Sequence, residues 1–178
     1  MKIRRKRLAL LVGMVVVIAG IATGTAIAVH AGPYSGGYSY QTIIQNSTDA
    51  SSIATTAFVT LAGTFTFVSV PSSTSRLIDA RFTAESSCAG GGAGNWCTAR
   101  IVVYNRSTGV VTELLPQSST DFAFDSVGSS NDYWESHAIE RSIRLGSGTY
   151  YVYVQWRTTS TSTVFRLDDW HFAVDIHF

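Results

Sequence analysis

The side chains that could do chemistry in this 178-residue chain gather toward its C-terminal end. Beyond residue 31 the histidines are His137, His171 and His177. Asp169, His171, Asp175 and His177 share one parity, so on a strand they would line one face. Same-face neighbours sit about 6.8 Å apart, so either Asp–His pair could share a metal but all four could not. A metal centre would need a ligand from another strand, such as His137, and the plainer reading is a polar outer face. No metal or cofactor is therefore expected. There is no GxSxG elbow, HExxH, P-loop or dinucleotide fingerprint. A Ser-His-Asp set could assemble only through the fold, so no catalytic residue is assigned and an enzyme is the third-ranked reading. Glu135, Glu140 and the Asp168-Asp169 pair have no demonstrable separation, which leaves a glycosidase reading unsupported.

The elements that would position these groups read as strands. Phe65 and Phe67 alternate with Thr64 and Thr66. Ile78, Ala80, Phe82 and Ala84 alternate with Asp79, Arg81, Thr83 and Glu85. Further strands are expected at 97–105, 110–115, 121–127, 134–145, 149–157 and 164–178. No helical periodicity survives beyond the N-terminal leader. Short strands parted by Ser, Thr and Gly clusters imply an all-β, antiparallel two-sheet sandwich, jelly-roll-like, with an immunoglobulin-like sandwich as the alternative.

If 158–163 is a hairpin loop, Trp156 faces Phe165 and Val154 faces Leu167 across a ladder. The apolar parity then slips: Phe165 and Leu167 are odd, whereas Trp170, Phe172, Val174 and Ile176 are even. A β-bulge at Asp168-Asp169 absorbs that slip. The alternative is a buried ion pair between one of these aspartates and Arg141, whose parity matches Ile139 and Ile143. With the bulge, Tyr151 lies opposite His171, Tyr153 opposite the bulge and Gln155 opposite Arg166. Tyr151, Tyr153, Gln155, Arg166 and His171 then form an outer face of aromatic platforms beside planar hydrogen-bonding groups, which suits sugar rings.

Met1–Arg7 is basic, and residues 8–29 carry no charge. Small residues at Val29 and Ala31 complete a signal-peptide pattern, with Ala26-Ile27-Ala28 as a second cleavage site. An uncleaved N-terminal membrane-anchor helix is the alternative, with the domain outside. The chain divides into a signal peptide or anchor (1–31), a Gly/Ser-rich lead-in with a short strand near 42–45 (32–56) and the sandwich (57–178). Past the leader, eight Arg face twelve Asp plus Glu, which argues against nucleic acid as a partner. Cys88 and Cys97 enclose a Gly-rich loop, and outside the cytoplasm they should form a disulfide worth roughly 2.7 kcal/mol.

The segments ARFTAESSC, WCTARIVV, DFAFDS, WESHAIERS, GTYYVYVQW and FRLDDWHF resemble a family of uncharacterised secreted actinobacterial proteins. The resemblance spans most of 76–172 and implies secretion and a β-sandwich, without transferring any catalytic residue. The strand count is similar to jelly-roll modules of the complement-C1q and tumour-necrosis-factor type. These readings point to an exported, non-catalytic extracellular binding module with a glycan or cell-envelope ligand. A self-associating structural module, trimeric like the architectural relatives, is the alternative. Any membrane contact is expected only through the N-terminal segment.

Overall fold

Alternation along the chain shows which residues turn inward. Thr66, Val68, Val70, Ile78, Ala80, Phe82, Ala84 and Ser86 are buried, while Phe67, Ser69, Arg81 and Glu85 between them are exposed. This period of two is a strand buried on one face only. The computed structural model describes residues 29–33, 39–117, 123–128 and 133–177, so the leader up to residue 28 lies outside the described residues. The strands are β1 (Val29–Pro33), β2 (Ser39–Ser47), β3 (Ser51–Ile53), β4 (Val59–Thr60), β5 (Thr66–Gly90), β6 (Trp96–Asn105), β7 (Val111–Glu113), β8 (Asp125–Ser126), β9 (Glu135–Thr158) and β10 (Thr163–His177). No helix occurs among the described residues.

Two strands build the architecture by bending. The β5–β9 register breaks between Val70 and Ser75 on β5 and between Gly146 and Gly148 on β9. Pro71 and Ser73, at φ 60°, mark the β5 bend, and Gly148, at φ 152°, marks the one in β9. Each strand thereby serves two sheets. In the first sheet the order is β2, β10, 75–90 of β5, then 135–146 of β9, with β1 outside β2 and β3 continuing beside β10. In the second, 66–70 of β5 and then β4 flank 148–158 of β9, followed by β6 and then β7 and β8. A layer five strands wide and one four strands wide, joined by strands that change sheet, make an antiparallel β-sandwich.

The inner faces meet in one core. Phe82, Phe165, Phe172, Ile78, Ile101, Leu167 and Val154 are completely buried there. Trp156 packs on Phe165 with ring centroids 5.4 Å apart, and Phe82 touches both Phe124 and Trp170. A disulfide joins Cys88 at the end of β5 to Cys97 at the start of β6, with Cα atoms 5.8 Å apart.

One expectation is corrected here. Strands β9 and β10 do not form a hairpin: β5 runs between them in the first sheet, and residues 159–162 carry the chain from one sheet to the other. Trp156 does meet Phe165, but across the core instead of across a ladder; its ladder partners are Ala99 and Val59. The short strand expected near 42–45 in the lead-in is present as the longer β2. Strand β2 pairs with β10 from Trp170↔Ser47 to His177↔Tyr40, so the sheet extends well before residue 57.

Candidate ligand-binding face

The outer face of the second sheet carries aromatic rings where a solvated sheet ordinarily carries polar side chains. Phe67, Tyr151 and Tyr104 stand in one row across β5, β9 and β6. Phe65 lies just before β5 and stacks on Tyr153, with centroids 4.7 Å apart and an interplanar angle of 23°. It also meets Tyr151 edge-on at 6.0 Å, and Phe67 meets Tyr151 at 5.9 Å. Tyr153 and Val102 are buried yet stand outside the inter-sheet core, because the aromatic layer covers them. Phe65 remains 51% exposed and Phe67 49%. One face of the Phe65 ring thus rests on Tyr153 while the ring keeps half its area in solvent. The Gln45 amide donates to the Phe65 carbonyl at 2.6 Å and fixes the backbone there.

Guanidinium groups edge this layer. The Arg100 Nε and Nη2 donate to Gln155 Oε1 at 3.0 and 2.7 Å, and its Nη1 reaches Glu113 Oε2 at 3.3 Å. Its guanidinium lies 3.6 Å from the centroid of the Phe58 ring, and that of Arg157 lies 4.5 Å from it. Arg106 lies 5.4 Å from the Tyr151 centroid. Such contacts hold a cation over a ring face with about 0.5–1 kcal/mol each at exposed sites. Arg106 sits in a turn fixed by Asn105 Oδ1, which accepts from the backbone N–H groups of Ser107 and Thr108, and its own N–H donates to the Thr149 carbonyl. Burial pushes the Tyr153 phenol above its ordinary value, against an opposing pull from Arg100. Its hydroxyl therefore stays a neutral donor at physiological pH.

The five residues expected to form one face are divided between two. Tyr151, Tyr153 and Gln155 share the second sheet's outer face, opposite Tyr104, Val102 and Arg100. Arg166 and His171 lie on the first sheet, opposite Ser87 and Thr83. The cause is the sheet change at 159–162. Within the aromatic face Tyr153 is the support and Phe65 the exposed ring. Phe58, Phe65, Phe67, Arg100 and Arg106 complete the face; their aromatic and charged character was visible in the sequence, but their partners lie on other strands.

At the aspartate pair, the register of β10 against β5 shifts between Asp168 and His171, and Asp169 has φ 42°. The Arg141 alternative is not what forms. Arg141 stands opposite Ala80, whereas Asp168 stands opposite Glu85, about 17 Å further along β5. Burial lowers the Arg141 pKa, and the charge opposing that shift is Glu113. Of the residues weighed for a metal, His177 pairs with Asp79 at 2.8 Å and Asp175 accepts from Thr42. Among the described residues no three His, Cys, Asp or Glu side chains are grouped to hold a metal ion.

A Ser, a His and an Asp do converge elsewhere. Ser86 Oγ donates to Asp125 Oδ2 at 2.8 Å and lies 2.9 Å from His137 Nδ1. With the serine proton on the carboxylate side, His137 Nδ1 acts as the donor, the reverse of a general base. Ser86 is completely buried at the end of the core, under Phe124 and His137. The set ties β8 and β9 to β5 through a buried hydroxyl.

No family model matches the chain, and no curated protein does. Among solved structures it is similar to dimeric latent PorU from Porphyromonas gingivalis, with 10% identity and a TM-score of 0.38. That match covers 85% of this chain and only 14% of PorU. A second is a carbohydrate-binding module from Cellvibrio mixtus lichenase 5A in complex with cellotriose, at 14% identity and TM-score 0.26, covering 85% of this chain and 88% of that one. A third is the C-terminal CBM6 module of LamC, a marine laminarinase from Zobellia galactanivorans, at 18% identity and TM-score 0.25, covering 82% and 86%. At such identities and TM-scores these likenesses bear on neither the ligand nor the activity of this chain.

Proposed function

We propose that the protein is an exported, non-catalytic binding module whose ligand is a glycan of the cell envelope or surroundings, taken on the outer face of the second sheet. The observation that supports this is Phe65: a ring braced flat on Tyr153, half in water, beside Phe67 and Tyr151. Leaving two phenylalanines half-exposed costs hydrophobic burial of about 25 cal/mol per Å². A sugar ring recovers that term, since its apolar C–H face lies on the aromatic plane and its hydroxyl edge reaches Gln155 and the Tyr hydroxyls. The disulfide fits an oxidising compartment.

The test is retention on insoluble polysaccharides, run beside light scattering. Wild type should bind as a monomer, and Phe65→Ala should lose retention with unchanged mass and unchanged circular dichroism. Phe65→Ala retained like wild type would refute the reading. An oligomer that Phe65→Ala dissolves would show instead that the rings are a self-association surface, where Tyr and Arg are also favoured.

A further inference from the structure

We infer that the glycan taken by this face is anionic, its carboxylate or ester-sulfate groups held by Arg106 and Arg157 while its rings lie on Phe65 and Phe67. This rests on the glycan reading above. It comes from how charge is divided between the two outer faces. The first sheet's outer side carries Asp79, Glu85, Glu140, Asp168 and Asp175 against three arginines, Arg81, Arg144 and Arg166. The aromatic face carries Arg100, Arg106 and Arg157 against one described carboxylate, Glu113. A domain with more acids than arginines thus places three of its eight arginines beside its exposed rings.

The three are not equivalent. Arg100 is committed to Glu113 and Gln155. Arg106 and Arg157 touch rings and have no carboxylate partner among the described residues. The Arg157 Nε is buried without a hydrogen-bond acceptor. A ligand oxygen cannot reach that covered atom, so the terminal nitrogens of the Arg157 guanidinium are what is left to meet an anion. Guanidinium forks match carboxylate and sulfate oxygens in geometry as well as charge. Tyr151, beneath Arg106, and Arg157 are six residues apart on β9, about 20 Å, so the two cations would grip a chain of sugars rather than one.

Affinity electrophoresis of the full mature protein tests this. The gels contain polygalacturonate or its fully methyl-esterified neutral form, dextran sulfate or dextran, and polyglutamate as an anion without sugar rings. Wild type should be retarded about tenfold more strongly by a charged polysaccharide than by its neutral counterpart, and the difference should fade as salt rises. The stronger of the polygalacturonate and dextran sulfate arms identifies the anion. Arg106→Gln, at an exposed position, should remove most of the difference with an unchanged melting temperature, while Phe65→Ala should remove retention by every polymer. Equal retention by charged and neutral polymers would overturn this inference and leave the glycan reading standing. No retention by any polymer would overturn both. Polyglutamate binding as tightly as the charged glycans, insensitive to Phe65→Ala, would show a charge patch without sugar recognition. Low-salt oligomers dissolved by Arg106→Gln would make another copy's acidic face the occupant and end the proposal.

Discussion

Asp169 sits at φ 42°, where most L-residues clash and Gly, Asn and Asp are tolerated. The carboxylate of Asp168 accepts the Asp169 N–H at 2.9 Å and closes the bulge. Asp169→Gly should therefore leave stability within about 0.5 kcal/mol of wild type, and Asp169→Val should lower it by about 1–2 kcal/mol. Urea denaturation of the two variants decides this; equal midpoints would show that the backbone there carries no strain. Ser86→Ala is a second residue-scale case. It leaves Asp125 and His137 facing an apolar methyl group, so a loss of about 1–3 kcal/mol is expected in the same assay. The bulge was legible in the sequence because the apolar parity slips at Asp168-Asp169, and parity is written in the residues themselves. The role of Phe65 was not. Alternation with Thr64 and Thr66 would turn the ring inward, yet the two threonines are the buried residues there and Phe65 is exposed; the ring it rests on belongs to a strand far along the chain, and no periodicity names a partner.

At the scale of elements, the sandwich depends on β9 changing sheets at 146–148. Tyr150 folds back over this corner and donates its hydroxyl to the Gly146 carbonyl at 3.0 Å. A Cβ at Gly148 would come within 3.0–3.2 Å of the Tyr150 ring and hydroxyl, whereas one at Gly146 would meet nothing within 4 Å. Gly148→Ala should therefore cost about 1–3 kcal/mol through overpacking and strain, and Gly146→Ala should be tolerated. Thermal melts of the pair check the contrast, and equal melting temperatures would mean that the corner is not held by this packing. The same bend explains what the sequence left hidden. The stretches 134–145 and 149–157 do read as strands, yet Gly-Ser-Gly between them suits a turn as well as a continuous bent strand. Successive strands usually pair, so 149–157 and 164–178 suggest a hairpin. Inward parity is the same whether Trp156 meets Phe165 across a ladder or across a core. The inner faces could thus be assigned correctly while the outer face was assembled from two different sheets.

At the scale of the whole molecule, the N-terminal edge of the first sheet joins the proposed export to the fold. Strand β1 pairs with β2 from Val29↔Ile43 to Pro33↔Ser39. The two cleavage sites expected from the leader therefore give different molecules. Cleavage after Ala28 leaves β1 whole, and cleavage after Ala31 removes Val29, His30 and Ala31 and opens most of the outer edge of β2. The sandwich should survive either way, because β2 is held on its other side by eight register pairs with β10. An edge bearing Gln41, Thr42 and Gln45 is also polar enough to face water. Intact mass of the exported protein should give a chain beginning at Gly32 or at Val29. Amide hydrogen exchange then reports the edge. In the Val29 form the outward N–H groups of β2 should be protected by β1, and in the Gly32 form they should exchange rapidly while β10 stays protected in both. Rapid exchange throughout β10 in the shorter form would mean that β1 is needed to hold the first sheet together. Full-length protein held in the membrane fraction would make the leader an anchor, with β1 following it directly into the sheet.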